Sequence, residues 1–281
     1  QVTLPLELPE IETIRRDLDR EISGRKVKEA EAASMAVLGR YKNRKSFTSL
    51  LAGLKVRSVR RLGLHLLVDL DDGNLMVVRL GEGALLRRHA NKDAVARGTE
   101  LTVTFTVGGQ VRLVDPGGTS EVCLVPRGDL LGEFPALAAL GLDPVGEPVS
   151  WTSFAGQVIP RAGDLKALLG DDSLVVGLGD VYVDEVLFHA GLRHDRQSDS
   201  LSIQEVRRLY RALVETVHEA VKYRGTSLED RPFTDVFGVP GEFAQHLAVY
   251  GREGQLSPRS RAPIQRTKYK GRWTYYCDTQ V

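Results

Sequence analysis

The sequence predicts an α+β protein of two domains, the first mainly antiparallel β-structure and the second helical. Short apolar runs separated by turn residues such as Gly108-Gly109 fill the first half of the chain. Glycine and proline interrupt this pattern between residues 126 and 148, and apolar residues at helical spacing follow. After Tyr250 a basic tail returns to a β-rich composition. With 281 residues, 42% of them hydrophobic, the chain is long enough to bury two cores.

The first half is predicted to begin with one helix and to continue in strands. Pro9 suits the first helical turn, and Glu10 and Glu12 favour the positive end of the helix dipole. One face of this helix is apolar, formed by Ile11, Ile14, Leu18 and Ile22. Strands are predicted at 55–61, 64–70 and 75–80, and a hairpin is predicted from strands at 101–107 and 111–114.

The second half contains a pair of predicted helices joined by a glycine-bearing turn. A short helix at 165–169 is followed by a second helix with Asp180 as its N-cap and Gly191 just past its end. Such a pair is typical of DNA-binding helix-turn-helix motifs, and equally of two core helices with a tight loop between them. A longer helix begins at Ser202, where Glu205 completes a capping box.

Charge is distributed unevenly although the net charge is only +1. Residues 35–61 contain eight basic residues and no acid, and residues 252–272 contain seven basic residues against Glu253 alone. Two such stretches fit a surface for a polyanion, or two solvated faces. The two cysteines, Cys123 and Cys277, indicate no disulfide framework and favour a reducing cytoplasm. No signal peptide or membrane span is expected.

Five motifs in order resemble the formamidopyrimidine-DNA glycosylase / endonuclease VIII family. They are residues 7–13 (ELPEIET), 140–144 (LGLDP), 166–192 (around GLGDVYVDEVLF), 250–254 (YGREG) and 271–277 (GRWTYYC). The resemblance implies an N-terminal antiparallel β-sandwich with an N-terminal helix at 1–135. It also implies a helix–two-turn–helix domain at 136–248 and a β-hairpin finger at 249–281.

The family resemblance implies base-excision repair, in which a damaged base is extruded from duplex DNA and its glycosidic bond is cleaved. The nucleophile of the family is an N-terminal proline, but Leu6 stands at that position here, inside the chain. Glu7 matches the family's acid/base glutamate, and Glu10 is a second carboxylate nearby. The two carboxylates would either activate water for monofunctional hydrolysis or only stabilise the start of the helix.

Basic residues of the second half match, or lie beside, the family's DNA contacts. We expect contacts to nucleic acid from Lys166, Arg252, Arg266, Lys268, Lys270 and Arg272. Two other phosphate-binding positions differ from the family, because Leu64 replaces a lysine and Asp180 replaces an asparagine.

The elements that fill the space of the extruded base and that bind zinc also differ from the family. Glu82 stands where the family inserts a methionine, and residues 115–120 lack its arginine and aromatic wedge. The four positions of the zinc ligands hold Ser257, Ser260, Cys277 and Gln280. One thiol does not make a zinc site, so we expect a zincless hairpin, no metal and no cofactor.

Three functional hypotheses follow. In the first, the protein is a monomer that binds double-stranded DNA, including damaged DNA, at the nucleoid, with weak or absent glycosylase and lyase chemistry. In the second, it is an active monofunctional glycosylase that uses Glu7 or Glu10. In the third, it is a non-enzymatic adaptor for RNA or a protein on the same scaffold.

Overall fold

A computed structural model describes residues 4–281, which group into two compact units. Among the described residues, the first unit contains 4–6, 10–138 and 224–241. The second contains residues 7–9, 139–223 and 242–281. The division into domains at 1–135, 136–248 and 249–281 stays a prediction. By contacts, the structure groups residues 224–241 with the strands of the first unit, and it groups the hairpin with the helices of the second unit.

The first unit is an antiparallel β-sandwich, as the sequence predicts. Its elements are α1 (Leu8–Ile22, of which residues 8 and 9 belong to the second unit), β1 (Val27–Ala32), α2 (Arg44–Thr48), β2 (Val56–Leu62), β3 (His65–Leu70), β4 (Asn74–Arg79), β5 (Leu85–His89), β6 (Thr99–Phe105), β7 (Gln110–Val114), β8 (Glu121–Pro126) and α3 (Leu130–Glu133). One sheet has the order β1-β6-β7-β5 and the other the order β2-β3-β4-β8. Gly108 and Gly109, with φ of 99° and 80°, lie in the connection between β6 and β7, in the left-handed region that favours glycine.

The apolar face of α1 packs into the core of the sandwich. Ile11, Ile14, Leu18 and Ile22 are each at most 3% exposed and belong to one hydrophobic cluster with strand residues of both sheets. Burial of each such side chain contributes about 1.5–3 kcal/mol to folding. The helix predicted from its apolar stripe is therefore an integral part of the first core.

Long-range ion pairs neutralise part of the basic stretch at 35–61. The Arg61 guanidinium is buried against Glu12, with Nε 3.0 Å from Oε1. Arg40 pairs with Glu121 and Glu133 at 2.6 and 2.8 Å. These arginines stabilise the first unit and do not form a free cationic surface.

The second unit is helical and carries a two-stranded hairpin at its end. Its elements are α4 (Trp151–Val158), α5 (Leu165–Leu169), α6 (Asp180–Ala190), α7 (Ile203–Lys222), β9 (Gln265–Tyr269) and β10 (Arg272–Tyr276). The capping box of α7 is present between Ser202 and Glu205. Gly191 ends α6 with φ 70°, as predicted. Within residues 4–281, none of the helices has the length and hydrophobicity required to cross a membrane.

Candidate nucleic-acid interface

Helix α6 is capped by a carboxylate from a distant part of the chain. Glu7 accepts hydrogen bonds from the backbone N–H groups of Gly179, Val181 and Tyr182 at 2.5, 3.3 and 3.2 Å. The first amides of a helix have no partner within the helix, and a negative charge beside them is favoured by the helix dipole. Glu7 is 4% exposed, so it is a buried structural cap.

The predicted N-cap role of Asp180 is wrong by one residue. The N-cap is Gly179, which has extended backbone dihedrals, and Asp180 is the first residue of the helix. A side chain on Gly179 would crowd Glu7, because an added Cβ would lie 3.0 Å from the Glu7 carboxyl carbon. Since Glu7 takes over the capping, the carboxylate of Asp180 is left to interact with the hairpin.

Glu10 is held in a second buried network, inside the first unit. It forms an ion pair with Arg231 in which both side chains are fully buried, and it accepts a hydrogen bond from the Thr226 N–H at 3.1 Å. Arg231 donates further to the carbonyls of Thr226 and Pro5 at 2.9 and 3.1 Å. A buried carboxylate paired in this way anchors the 224–241 segment to α1.

Lys166 is almost fully buried in the second unit. Its ammonium, on a side chain only 7% exposed, donates to Asp184 Oδ1 at 3.1 Å, to Thr274 Oγ1 at 2.7 Å and to the Trp273 carbonyl at 3.1 Å. Asp184 also accepts from the Tyr275 N–H at 2.9 Å. Lys166 and Asp184 therefore attach β10 to α5 and α6.

The surroundings of Asp184 perturb its titration. Burial raises the pKa of Asp184 to about 7, although the nearby Lys166 ammonium and the Tyr275 N–H act in the opposite direction. The next residue, Glu185, is also buried and accepts from the backbone N–H groups of Ala248, Val249 and Tyr250 at 2.5, 2.9 and 3.0 Å. Two consecutive carboxylates of α6 thus fix the segment that leads into the hairpin and the hairpin itself.

The hairpin carries the exposed cations. Arg266, Lys268, Lys270 and Arg272 all lie on β9, β10 or the turn between them, and all are exposed. The Arg266 guanidinium lies 4.0 Å from the ring centre of Trp273, whose ring is also within 5.2 Å of the Lys268 ammonium. Trp273 is 44% exposed, so the hairpin presents an aromatic face flanked by positive charge.

Arg252 differs from these hairpin cations because its side chain is used within its own loop. It donates to Gln255 Oε1 at 2.9 Å and to the Leu247 carbonyl at 2.6 Å. The sequence prediction grouped it with the DNA contacts on charge alone. In the structure it shapes the turn that precedes the hairpin.

A cleft of about 260 Å³ lies between α5, the start of α6 and the hairpin. Its walls carry charges of both signs, including Asp164, Asp180, Lys270 and Arg272. The structure thus brings Lys166, Lys270 and Arg272 of the predicted set together around one cleft.

Comparison with known proteins decides the family. The family profiles "Formamidopyrimidine-DNA glycosylase N-terminal domain" and "Formamidopyrimidine-DNA glycosylase H2TH domain" match residues 6–122 and 140–231. The formamidopyrimidine-DNA glycosylase of Pelotomaculum thermopropionicum is 33% identical over 273 residues, which is 97% of this chain and 98% of that protein. The chain belongs to the formamidopyrimidine-DNA glycosylase family.

Solved structures agree with this assignment. The crystal structure of the MutM (Fpg) protein from Thermus thermophilus is 36% identical and superposes with a TM-score of 0.84 over 97% of each chain. The Lactococcus lactis Fpg protein, in a complex with DNA containing an abasic site, is 27% identical with a TM-score of 0.86, covering 98% of this chain and 99% of that one.

The two loops that replace the family's void-filling elements contact each other. The Gly81 N–H donates to Ser120 Oγ at 2.9 Å, and an added Cβ at Gly81 would overlap Thr119 Oγ1. Asp115 accepts from the Ser120 N–H at 2.8 Å and so fixes the second loop. Glu82 is exposed beside this contact. These loops are ordered by their own hydrogen bonds, with a carboxylate where the family has a methionine.

The four positions of the family's zinc ligands do come together, as a hydrogen-bonded cluster. Ser257 Oγ donates to Cys277 Sγ at 3.1 Å, and Ser260 Oγ lies 3.6 Å from the same sulfur. Gln280 accepts from the Cys277 N–H at 2.7 Å and donates to the Leu192 carbonyl at 2.8 Å. Two hydroxyls, one thiol and one amide do not fit zinc, which prefers thiolate and imidazole ligands. Hydrogen bonds hold the base of the hairpin instead.

Sequence reasoning missed the roles of Asp164, Asp184, Glu185 and Arg231. For Asp184 and Glu185 a signal was present in the sequence, because two adjacent carboxylates on the buried face of a helix must find hydrogen-bonding partners. The partners of Asp184, Glu185 and Arg231 lie up to 226 residues away along the chain and have no local pattern.

Proposed function

We propose that the protein binds duplex DNA, and damaged duplex in particular, as a base-excision-repair protein with weak or absent glycosylase and lyase chemistry. The observation that carries this proposal is the state of Glu7. Its carboxylate is committed to three backbone amides at the start of α6. A carboxylate in that position orders a helix and is poorly suited to exchange protons with a substrate.

The position of the family's nucleophile supports the same conclusion. Leu6 follows Pro5 in the chain, so its backbone nitrogen is an amide without a basic lone pair. Schiff-base formation at C1′ of the sugar requires a free amine. No such amine exists at Leu6 in this chain, and the side chain of leucine offers no replacement.

A monofunctional glycosylase that uses Glu7 or Glu10 has less support. Activation of water requires a carboxylate that can both reach and hold the water. Glu10 is fully buried in its ion pair with Arg231, and Glu7 is buried against α6. The hydrogen-bonding partners of these two groups favour structural roles for both.

DNA binding is supported by the hairpin and by the relatives. The Lactococcus lactis neighbour is itself a complex with DNA that contains an abasic site. We propose that Arg266, Lys268, Lys270 and Arg272 contact DNA phosphates, because they are exposed cations on one two-stranded element. Lys166 and Arg252 would act indirectly, by holding the hairpin and its preceding loop in place. That the protein is a monomer and associates with the nucleoid stays a prediction.

The test is a binding panel of plain, abasic and oxidised-base duplexes, followed by an assay for strand nicking and base release. We expect salt-sensitive binding to duplex, stronger on the abasic or oxidised substrate, no borohydride-trapped adduct, and little or no base release. Base release that is abolished by Glu7→Gln would overturn the statement on catalysis and support the monofunctional alternative. Absence of binding to every duplex would overturn the DNA proposal and favour an adaptor for RNA or a protein.

A further inference from the structure

Three of the four exposed hairpin cations are paired with carboxylates of the same unit. Arg266 pairs with Glu253 at 2.5 Å, outside the cleft, and the other two pairs line the cleft. Arg272 Nη1 lies 3.0 Å from Asp180 Oδ1, and the Lys270 ammonium contacts Asp164 Oδ1. All four groups line the same cleft. The positive ends of the hairpin are therefore neutralised within the protein.

In each ion pair the cationic side chain is exposed, whereas the aspartate is buried and held in place. The cations are long side chains that are each 65% exposed, whereas Asp180 and Asp164 are 15% and 3% exposed. Asp164 is also fixed as the N-cap of α5, since its Oδ2 accepts from the Ala167 N–H at 2.9 Å. Asp180 is fixed in the first turn of α6. The carboxylates stay in place, and the cations reach to them from solvent.

A phosphate that approached Arg272 or Lys270 would meet these carboxylates. Phosphate and carboxylate oxygens compete for the same guanidinium and ammonium donors, and like charges repel each other. To bind the phosphate, the cation would either have to leave its aspartate or bind the phosphate and the aspartate at the same time, which brings two negative groups close together. Either event weakens the phosphate contact.

We propose that Asp180 and Asp164 attenuate DNA binding, because they compete with DNA phosphate for the hairpin cations. This rests on the proposed DNA-binding function and deepens it. Binding to undamaged duplex comes almost entirely from phosphate contacts. Internal competition at the hairpin therefore lowers the affinity for plain duplex, and it lowers the affinity for a damaged duplex by a similar factor when both use the same phosphate contacts. The two aspartates set the strength of these phosphate contacts.

The decisive variant is Asp180→Asn, measured by fluorescence anisotropy with plain and abasic duplexes across a salt series. Release of Arg272 from an exposed ion pair should raise affinity for plain duplex about two- to fivefold. The slope of log K against log salt should steepen by about 0.9, as expected for one more phosphate contact. The affinity for the abasic duplex should rise by a similar factor.

Three further variants make the result specific. Asp164→Asn should act in the same direction through Lys270, and asparagine remains a good N-cap for α5. Asp195→Asn is the matched control, because Asp195 pairs with Arg193 at 2.9 Å in a pair that does not line the cleft. In an Arg272→Gln background, Asp180→Asn should lose its gain. Thermal unfolding of each variant verifies that the folded fraction is unchanged.

The outcomes separate this inference from the proposed function. A gain with Asp180→Asn and Asp164→Asn, but not with Asp195→Asn, supports competition. Two results would overturn the proposed competition and leave the DNA proposal standing. In one, the unaltered protein binds duplex and Asp180→Asn does not change its affinity. In the other, Asp180→Asn still raises affinity in the Arg272→Gln background. If neither the unaltered protein nor the variants bind any duplex, the DNA proposal fails and the competition with it.

Discussion

Replacement of Lys166 by methionine should destabilise the second unit and loosen the hairpin. Methionine keeps most of the length and apolar volume of lysine but removes the ammonium. The change deprives Asp184 Oδ1, Thr274 Oγ1 and the Trp273 carbonyl of their common donor. Asp184, whose side chain is fully buried, is left without its cation.

The expected magnitude follows from the burial of the pair. Removal of one partner of a buried ion pair costs about 3–5 kcal/mol of unfolding free energy, because the other charge stays buried and unpaired. Asp184 can reduce this cost by taking up a proton, since its pKa is already about 7 beside Lys166 and rises further without it. We therefore expect a loss near the lower limit, about 3 kcal/mol at neutral pH.

Urea unfolding followed by tryptophan fluorescence measures the effect. The chain has two tryptophans, and Trp273 lies on the hairpin itself, so its emission reports directly on hairpin docking. Lys92→Met is the matched control: Lys92 is exposed in the first unit, and the substitution should change stability by less than about 0.5 kcal/mol. A loss below about 1 kcal/mol for Lys166→Met, with unchanged Trp273 emission, would refute the role of Lys166 as the attachment point.

Three more predictions concern the buried carboxylates. Folding raises the pKa of Asp184 from 3.8 to about 7, so between these pH values the folded state binds more protons than the unfolded state. The stability that this carboxyl group contributes is therefore lost as the pH rises through 7. The unfolding free energy of Asp184→Asn relative to the unaltered protein should therefore increase from pH 4 to pH 7 in urea titrations; a flat difference contradicts the assignment. Glu10→Gln should cost about 3 kcal/mol or more, since it removes the carboxylate that pairs with the buried Arg231 guanidinium. Protease cleavage within 224–241 should then accelerate; unchanged protection would exclude the anchoring role. Glu7→Gln should reduce the unfolding free energy by about 1 kcal/mol, as loss of a charged cap does. Hydrogen exchange of the Val181 and Tyr182 amides should become faster. A role of Glu7 in catalysis alone would leave the stability and the exchange rates unchanged.

Local patterns in the sequence were sufficient to predict much of the fold. The apolar stripe of α1, the capping box at Ser202 and the terminal Gly191 each depend on residues within a few positions of one another. Strands β1 and β5 carry several charged residues and show weaker alternation of apolar and polar residues, so they were not predicted.

The site was less predictable because its contacts are long-range. Lys166 was expected to contact DNA because it falls on a family position, and Arg252 because it lies in a basic stretch. That expectation stays a prediction, and in the structure both side chains have partners within the folded unit. Asp180 is a good N-cap by residue type, but a carboxylate from the N-terminal segment takes over that role. Composition predicts where charge occurs along the chain, and tertiary structure decides which charges are neutralised.

The cap that Glu7 provides also constrains how the protein folds. Glu7 and Tyr182 are separated by 175 residues, so the carboxylate leaves the ribosome long before the helix that it caps has been synthesised. Until then the Glu7 carboxylate lacks these amide partners, and before the two meet the early amides of α6 remain solvated. Closure of a loop of this length is slow and costs conformational entropy. Completion of α6 should therefore be a late event in folding, and a fragment that starts after residue 9 should form this helix with a frayed first turn.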